Sequence, residues 1–302
     1  MRIVVAESRV PYAIDGAMLH TRSLVEQLRR RDHQVEVVSL PLNPHKDHLL
    51  DQATAWRLLN LAESNTRPID RLIATRFPTW YARHPRKVAW VMHQHRQAYE
   101  LFGTPFSDFA DTPADRALRD RLVALDNAML AECERVVTNA ANTGGRLRRF
   151  NGIDAQPLYH PPPVADRLRE GTYGDYVLVV ARLEPLKRVA LAIDAMALVP
   201  PPTRLVVVGD GSLSGALRER AAALGLGPGR IEFVGAVWGD RVVDLYADAL
   251  AVVYTPFDED YGYVTLEAFL AGKPVVTATD SGGPLEFVVH DSTGIVCAPD
   301  SA

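Results

Sequence analysis

The stretch YVLVVARLEPLKRVALAIDAMALVPPPTRLVVVGDG, residues 176–211, decides the fold. Tyr176–Ala181 is a short, continuous apolar run, as a strand buried on both faces requires. Apolar residues recur at helical spacing over Lys187–Leu198, and Arg204–Val208 is again a buried strand. Strand, helix and strand within about 30 residues make a βαβ unit, and hence a parallel sheet. Toward the C-terminus the pattern continues with helix Ser214–Leu224, strand Ile231–Val234, helix Asp240–Asp248 and strand Ala251–Tyr254. Helix Tyr263–Ala271 stops at Gly272 with Pro274 just beyond, and strand Pro274–Ala278 follows.

In the other direction the pattern is interrupted at Pro161-Pro162-Pro163, which can neither continue a central strand nor enter a helix interior. A domain boundary is expected there, giving domains 1–163 and 164–302. The N-terminal part repeats the α/β alternation. Strand Ile3–Ala6, loop Pro11–Gly16, helix Ala17–Arg31 and strand Val35–Leu40 form its first unit. Strands Arg71–Ala74, Val88–Met92, Arg135–Thr138 and Gln156–Tyr159 follow, separated by helices around Ala53–Leu61, Asp115–Ala131 and Thr143–Phe150. The fold class is therefore α/β, two Rossmann-like domains whose parallel sheets face a central cleft, with functional loops at the carboxyl ends of the strands.

Composition narrows the function classes. The chain has 302 residues, 33 Lys and Arg against 37 Asp and Glu, a net charge of −4, and is 47% hydrophobic and 23% charged. That is a soluble globular composition and excludes a disordered tail or a small disulfide-stapled scaffold. No clustered basic face announces nucleic acid. Arg29-Arg30-Arg31 and Arg146, Arg148 and Arg149 read as solvated helix ends. Cys133 and Cys297 match neither a metal spacing nor a redox pair, which predicts a reducing compartment. With no signal-peptide pattern or apolar run of transmembrane length, a cytoplasmic location is expected.

The strongest chemical signal is PFDEDYGYVTLEA, residues 256–268. Glu259 lies in a loop after a strand and Glu267 eight positions on, at a helix start. A carboxylate can accept hydrogen bonds from the paired hydroxyls of a sugar or ribose. Gly262 leaves amides available at the helix N-terminus, where the dipole favours phosphate. The second signal is Arg182 with Lys187, a planar fork and a point charge suited to a diphosphate; the bland alternative is a surface ion pair with Glu184.

Taken together, Asp15-Gly16, His93, Arg182 with Lys187, Val208-Gly209-Asp210-Gly211, Phe233-Val234-Gly235, Glu259 with Glu267, and Gly272-Lys273-Pro274-Val275-Val276 stand in the order found in one family. The chain resembles the retaining glycosyltransferases of the GT-B fold, in particular glycosyltransferase family 4. The resemblance implies transfer of a sugar from a nucleoside-diphosphate sugar to an acceptor hydroxyl, with no bound metal or other cofactor. It implies that Arg182 and Lys187 hold the diphosphate, that Glu259 contacts hydroxyls of the transferred sugar and that Glu267 contacts the ribose. Amides of Tyr261, Gly262, Tyr263 and Val264 would line the donor, the Val237 region would touch the base, Gly16 would approach the phosphates, and His93 would sit beside sugar and acceptor. Acceptors in the family include sugars, lipid-linked glycans and small metabolites, which adds a peripheral membrane contact through Arg146–Arg149 as an option. Asp15 stands where the family often has a first glycine. Family members usually continue with further helices, so a C-terminally truncated second domain is expected.

Rival readings share these residues. Gly209-Asp210-Gly211-Ser212-Leu213-Ser214-Gly215 imitates a dinucleotide fingerprint, but it does not open its domain and the next strand ends in Gly235 rather than an acid, against an NAD-dependent dehydrogenase. Asp258-Glu259-Asp260 imitates a metal-binding Asp-x-Asp. His93 and His95 would project to one side of a strand as two metal ligands, but no third ligand is spaced to join them. No nucleophile elbow or P-loop is present. A nucleotide-sugar epimerase of the same architecture and a non-catalytic sugar-binding module are the remaining alternatives.

Overall fold

The computed structural model describes residues 1–12 and 15–300. The centre of the predicted Pro11–Gly16 loop, at Ala13 and Ile14, and the last two residues, Ser301 and Ala302, lie outside the described residues. The chain divides into two compact units, Met1–His160 and Pro161–Ala302.

In the first unit β1 (Arg2–Arg9) leads to α1 (Gly16–Arg29), β2 (Gln34–Pro41) and α2 (Leu49–Leu58). A two-strand antiparallel pair, β3 (Glu63–Ser64) and β4 (Arg67–Pro68), precedes β5 (Arg71–Ala74) and β6 (Lys87–Val91). Then come α3 (Pro113–Ala131), β7 (Arg135–Thr138), α4 (Ala141–Asn151) and β8 (Gln156–Pro157). The sheet has the order β2-β1-β5-β6-β7-β8, every neighbour parallel. β1 and β2 pair in unbroken register from Arg2 opposite Gln34 to Arg9 opposite Pro41, so their carboxyl ends finish together. One sheet face packs on a core containing Trp56, Leu72, Trp80 and Leu122, the other on Ile3, Val5, Val25 and Val35.

Local chemistry explains where the helices begin. Asp15 caps α1 by accepting from the Met18 amide at 2.9 Å. Thr112 caps α3 through the Asp115 amide, with Pro113 in the first turn. Inside α3, Asp126 is fully buried and accepts from Trp80 Nε1 at 2.9 Å and the Tyr99 hydroxyl at 2.6 Å. Burial pushes its carboxyl up to about 6, partly opposed by those donors.

The second unit runs β9 (Tyr176–Val180), α5 (Val189–Met196), β10 (Arg204–Val208), α6 (Ser214–Ala223), β11 (Ile231–Gly235), α7 (Asp240–Ala247), β12 (Ala251–Val253), α8 (Tyr263–Leu270), β13 (Val275–Ala278) and β14 (Gly294–Cys297). Its sheet order is β11-β10-β9-β12-β13-β14, again all parallel. Leu178, Val206 and Val208 face one core and Val179, Leu205 and Val207 the other, which is why these strands read as continuous apolar runs.

Three expectations need correction. The helix expected from Lys187 begins at Val189, because Pro185–Lys187 form a 3-10 turn and Arg188 turns into the left-handed region at φ 48°. β14 was not expected: its short Gly294–Cys297 run is recognisable only beside β13. Arg146 is not on a solvated face; it is buried and paired with buried Glu100 at 3.3 Å. Arg148 and Arg149 are as expected at the helix end, Arg148 paired with exposed Asp154 and Arg149 over the Phe150 ring. Among the described residues no helix is long and apolar enough to cross a membrane.

Candidate active site

The carboxyl ends of β9, β10, β12 and β13 carry the loops of the candidate site in the second unit. The loop after β12 brings Glu259 to the 3-10 turn after β9, where Lys187 forms an ion pair with it. Lys187 Nζ also donates to the Tyr254 hydroxyl at 3.3 Å. An ammonium has three N–H donors, so one remains for a further acceptor. Tyr254 is buried, and burial together with nearby Glu259 holds its phenol well above the ordinary range. It is a neutral partner to the lysine.

Backbone bonds fix Glu259 on both sides. Its amide donates to the Ser281 carbonyl at 2.8 Å and its carbonyl accepts from the Gly283 amide at 2.7 Å. Gly262, at φ 85°, caps α8 with no side chain. A Cβ there would lie 3.1 Å from both Pro284 Cγ and Tyr254 Cε1, so glycine is required by backbone angle and by space. Tyr254, whose hydroxyl holds Lys187, thus also lies against Gly262 at the start of α8, and a helix N-terminus attracts anions. Glu267, one turn further along α8, accepts from the Tyr246 hydroxyl at 2.7 Å. Burial raises its carboxyl above the usual range, and that hydrogen bond opposes the shift.

Arg182 is exposed at the end of β9 and makes no side-chain hydrogen bond or ion pair among the described residues. The bland alternative of an Arg182–Glu184 pair is not formed. Glu184 instead accepts from the Ser212 amide at 3.1 Å and hydroxyl at 2.6 Å. Val237 is half-buried beside Trp238, which is 62% exposed.

Sequence reasoning missed Arg188. Its guanidinium binds both carboxylate oxygens of Asp280 at 2.8 and 2.6 Å, and the carbonyls of Thr255 and Pro256 at 2.9 and 2.8 Å. With the Phe257 amide on the Leu186 carbonyl at 2.8 Å, it ties the Lys187 turn to the Glu259 loop. The only signal was the adjacency of two cations, Lys187-Arg188.

The glycine motif after β10 has a structural use. Gly209 has φ 133°, and a Cβ there would fall 1.8 Å from the Ala181 carbonyl oxygen. The space a dinucleotide pyrophosphate would need beside it is filled by backbone of the β9 loop.

In the first unit, Gly16 opens α1 directly after Asp15. Arg76, buried, donates to Asp15 at 2.7 Å and to the Ser8 carbonyl at 2.7 Å. Burial alone would raise the Asp15 carboxyl, but Arg76 and the Met18 amide bring it below the usual range. β6 ends at Val91, so His93 and His95 are in the following loop and not on one side of a strand. His93 Nδ1 lies 2.6 Å from the Gln94 carbonyl. His95 is a core histidine between Phe77 and Phe109, and burial pushes its imidazole down to about 4. Among the described residues no group of three or more His, Cys, Asp or Glu is arranged to hold a metal.

Residues 166–302 match the family model described as Glycosyl transferases group 1. The D-inositol 3-phosphate glycosyltransferase of Nocardia farcinica is 29% identical over 241 residues, covering 72% of this chain and 52% of that protein. The chain thus spans about half the length of that relative. The alpha-1,3/1,6-mannosyltransferase ALG2 of Mus musculus is 47% identical over 70 residues, 23% of this chain and 17% of its own. Among solved structures, Anabaena HepE in complex with UDP and glucose superposes with a TM-score of 0.68 at 18% identity, over 100% of this chain and 87% of that one. The fold class is GT-B: α/β, with two Rossmann-like domains.

Proposed function

We propose that the protein is a retaining glycosyltransferase of family 4, moving a sugar from a nucleoside-diphosphate sugar to an acceptor hydroxyl. In this reading the second unit is the donor side and the first the acceptor side. The observation that carries it is the junction of Lys187 and Glu259, with Tyr254 joining Lys187 to the glycine-capped start of α8, within the segment that matches the family model. The HepE complex with UDP and glucose supports a nucleotide and a sugar as the ligands of such a fold.

As the glycosidic bond breaks, negative charge grows on the leaving diphosphate. Lys187, Arg182 and the α8 amides would stabilise it from fixed positions, with little reorganisation. Glu259, anchored through its backbone, accepts hydroxyl hydrogen bonds from the sugar while Lys187 turns its remaining donor to phosphate. Glu267 keeps one oxygen beyond its Tyr246 bond for a ribose hydroxyl, and the Val237–Trp238 segment meets the base. With no side chain assigned as covalent nucleophile, the acceptor attacks from the face the diphosphate leaves, and a phosphate oxygen takes its proton. Retained configuration follows. The half-buried free cysteines Cys133 and Cys297 fit a cytoplasmic setting.

Removing Glu259 separates the roles. Glu259→Ala should weaken binding of the matching sugar nucleotide by about 10- to 100-fold, the range of a charge-assisted hydrogen bond, while bare nucleoside diphosphate binds unchanged. Calorimetry showing equal losses for both would refute the division. Lys187→Ala should lower kcat more than it raises KM, since its contact strengthens as the diphosphate departs. Activity lost on EDTA treatment would overturn metal independence. Stabilisation by NAD(P) would point to a dehydrogenase, and an isomerised donor to an epimerase.

A further inference from the structure

We propose that a cavity at the carboxyl ends of β1 and β2 receives an uncharged, apolar aglycone of the acceptor; the inference rests on the reading of the first unit as the acceptor side. The two strands stop where the Leu42 amide donates to the Arg9 carbonyl at 2.8 Å. Beyond that point a cavity of about 680 Å³ opens between the strand ends and α2. Ligands of parallel α/β sheets bind outside the carboxyl ends of the strands, and this volume lies in the range of small-molecule sites.

The lining defines the occupant. Val10, Leu40, Leu42, Pro44 and Ala55 supply apolar walls, and Trp56, 1% exposed, underlies them. Its polar contributors are Asn43, His48, Asp51 and Gln52, and no lysine or arginine lines it. Asp51 brings a carboxylate, so a phosphate or carboxylate on the ligand would meet a repelling group, with the His48 imidazole as the lone basic side chain of the lining and no guanidinium or ammonium to hold it. A second cavity, of about 590 Å³ along α1, is lined by charges of both signs, Arg9, Arg22, Arg29 and Arg30 together with Glu7 and Glu26, the last paired with Arg30. The cavity at the strand ends is thus the less charged of the two.

The apolar cavity is also preformed. Gln52 Nε2 donates to the Asn43 and His48 carbonyls at 2.7 and 3.0 Å, and its Oε1 accepts from the Asn43 amide at 2.8 Å. Lys46 pins the same loop from its other side, through its amide on Asp108 at 2.8 Å and its ammonium on Asp115 at 2.8 Å. A wall already ordered costs little to organise on binding.

The test uses the full chain and two acceptor probes, octyl β-D-glucopyranoside below its micelle concentration and methyl β-D-glucopyranoside, titrated by calorimetry. Octyl glucoside is expected to bind at least tenfold more tightly, since burying about two methylenes already gives that factor. Ala55→Trp, at an exposed position of α2, should abolish that preference while leaving methyl glucoside and nucleoside-diphosphate affinity unchanged. Pro44→Lys, on the exposed rim, should weaken octyl glucoside and give glucose 6-phosphate a foothold. Thermal melts of both variants within a few degrees of the parent establish that they fold. Equal affinity for the two glucosides, a parental octyl affinity in both variants, or tighter binding of glucose 6-phosphate by the parent would each overturn the proposal. Binding of octyl glucoside through Ala55 without any stabilisation by nucleotide would support the cavity and overturn the donor reading instead.

Discussion

On the proposed reading, Gly262 joins backbone conformation to ligand chemistry. Gly262→Ala must hold a methyl-bearing residue at φ 85° and move Pro284 or Tyr254 aside. A loss of about 1–3 kcal/mol of stability is expected, together with at least tenfold weaker nucleoside-diphosphate binding. Urea unfolding and calorimetry on the same variant check both, and Gly215→Ala, in α6 with open space at its Cβ, is the control, neutral or slightly stabilising. The left-handed Gly262 at the start of α8 was readable in the sequence because its type and position before an apolar helical run mark a helix start. Arg188 was not, because its role depends on the carbonyls of Thr255 and Pro256 and on Asp280, about 70 to 90 positions away. Arg182 was readable as a cation, but that Glu184 is not its partner became visible only once the Ser212 amide and hydroxyl were found on Glu184.

At the scale of the element, α3 carries a carboxyl whose titration can be followed. Asp126 titrates near 6 in the folded chain against about 3.8 unfolded, so between those values the folded state binds more protons. Its contribution is therefore fully present below about 3.8 and lost as the pH rises through 6, by about 3 kcal/mol at most. Stabilities of the parent and Asp126→Asn measured from pH 4 to 7 should diverge across that window, with the flatter profile in the variant. A constant difference would show that Asp126 is ionised throughout. Element types were largely legible because β9, β10 and the N-terminal strands are continuous apolar runs between helical periods. Their ends were less so. Arg188 breaks the expected helix through tertiary bonds to its guanidinium, β6 stops two residues before His93, and Arg146 enters the core because Glu100 is there to receive it.

At the scale of the whole molecule, the proposed function assigns the two units to different ligands. Saturation with a matching nucleoside diphosphate at 100 times its Kd should stabilise the second unit by about 2.7 kcal/mol. Hydrogen exchange should then slow at Leu183–Lys187 and Phe257–Val264, with the β2–α2 loop unaffected. Protection spread evenly over both units would contradict the assignment of donor binding to the second. The α/β alternation and the proline run gave access to the architecture from sequence, whereas the charge character of the first unit's cavities did not. It depends on which side chains from β1, β2, α1 and α2 meet in space.

The way Glu259 is mounted bears on how such a protein changes over time. Its position is set by main-chain bonds to Ser281 and Gly283, which any residue in its place could make, whereas the phosphate corner depends on Gly262 and the left-handed turn at Arg188. On the proposed reading, a substitution at Glu259 would exchange the group that inspects the sugar and release Lys187 from its ion pair, while the backbone frame at Gly262 and Arg188 stays in place. Sugar preference would then be the trait with freedom to drift, and the backbone of the diphosphate corner the part under constraint.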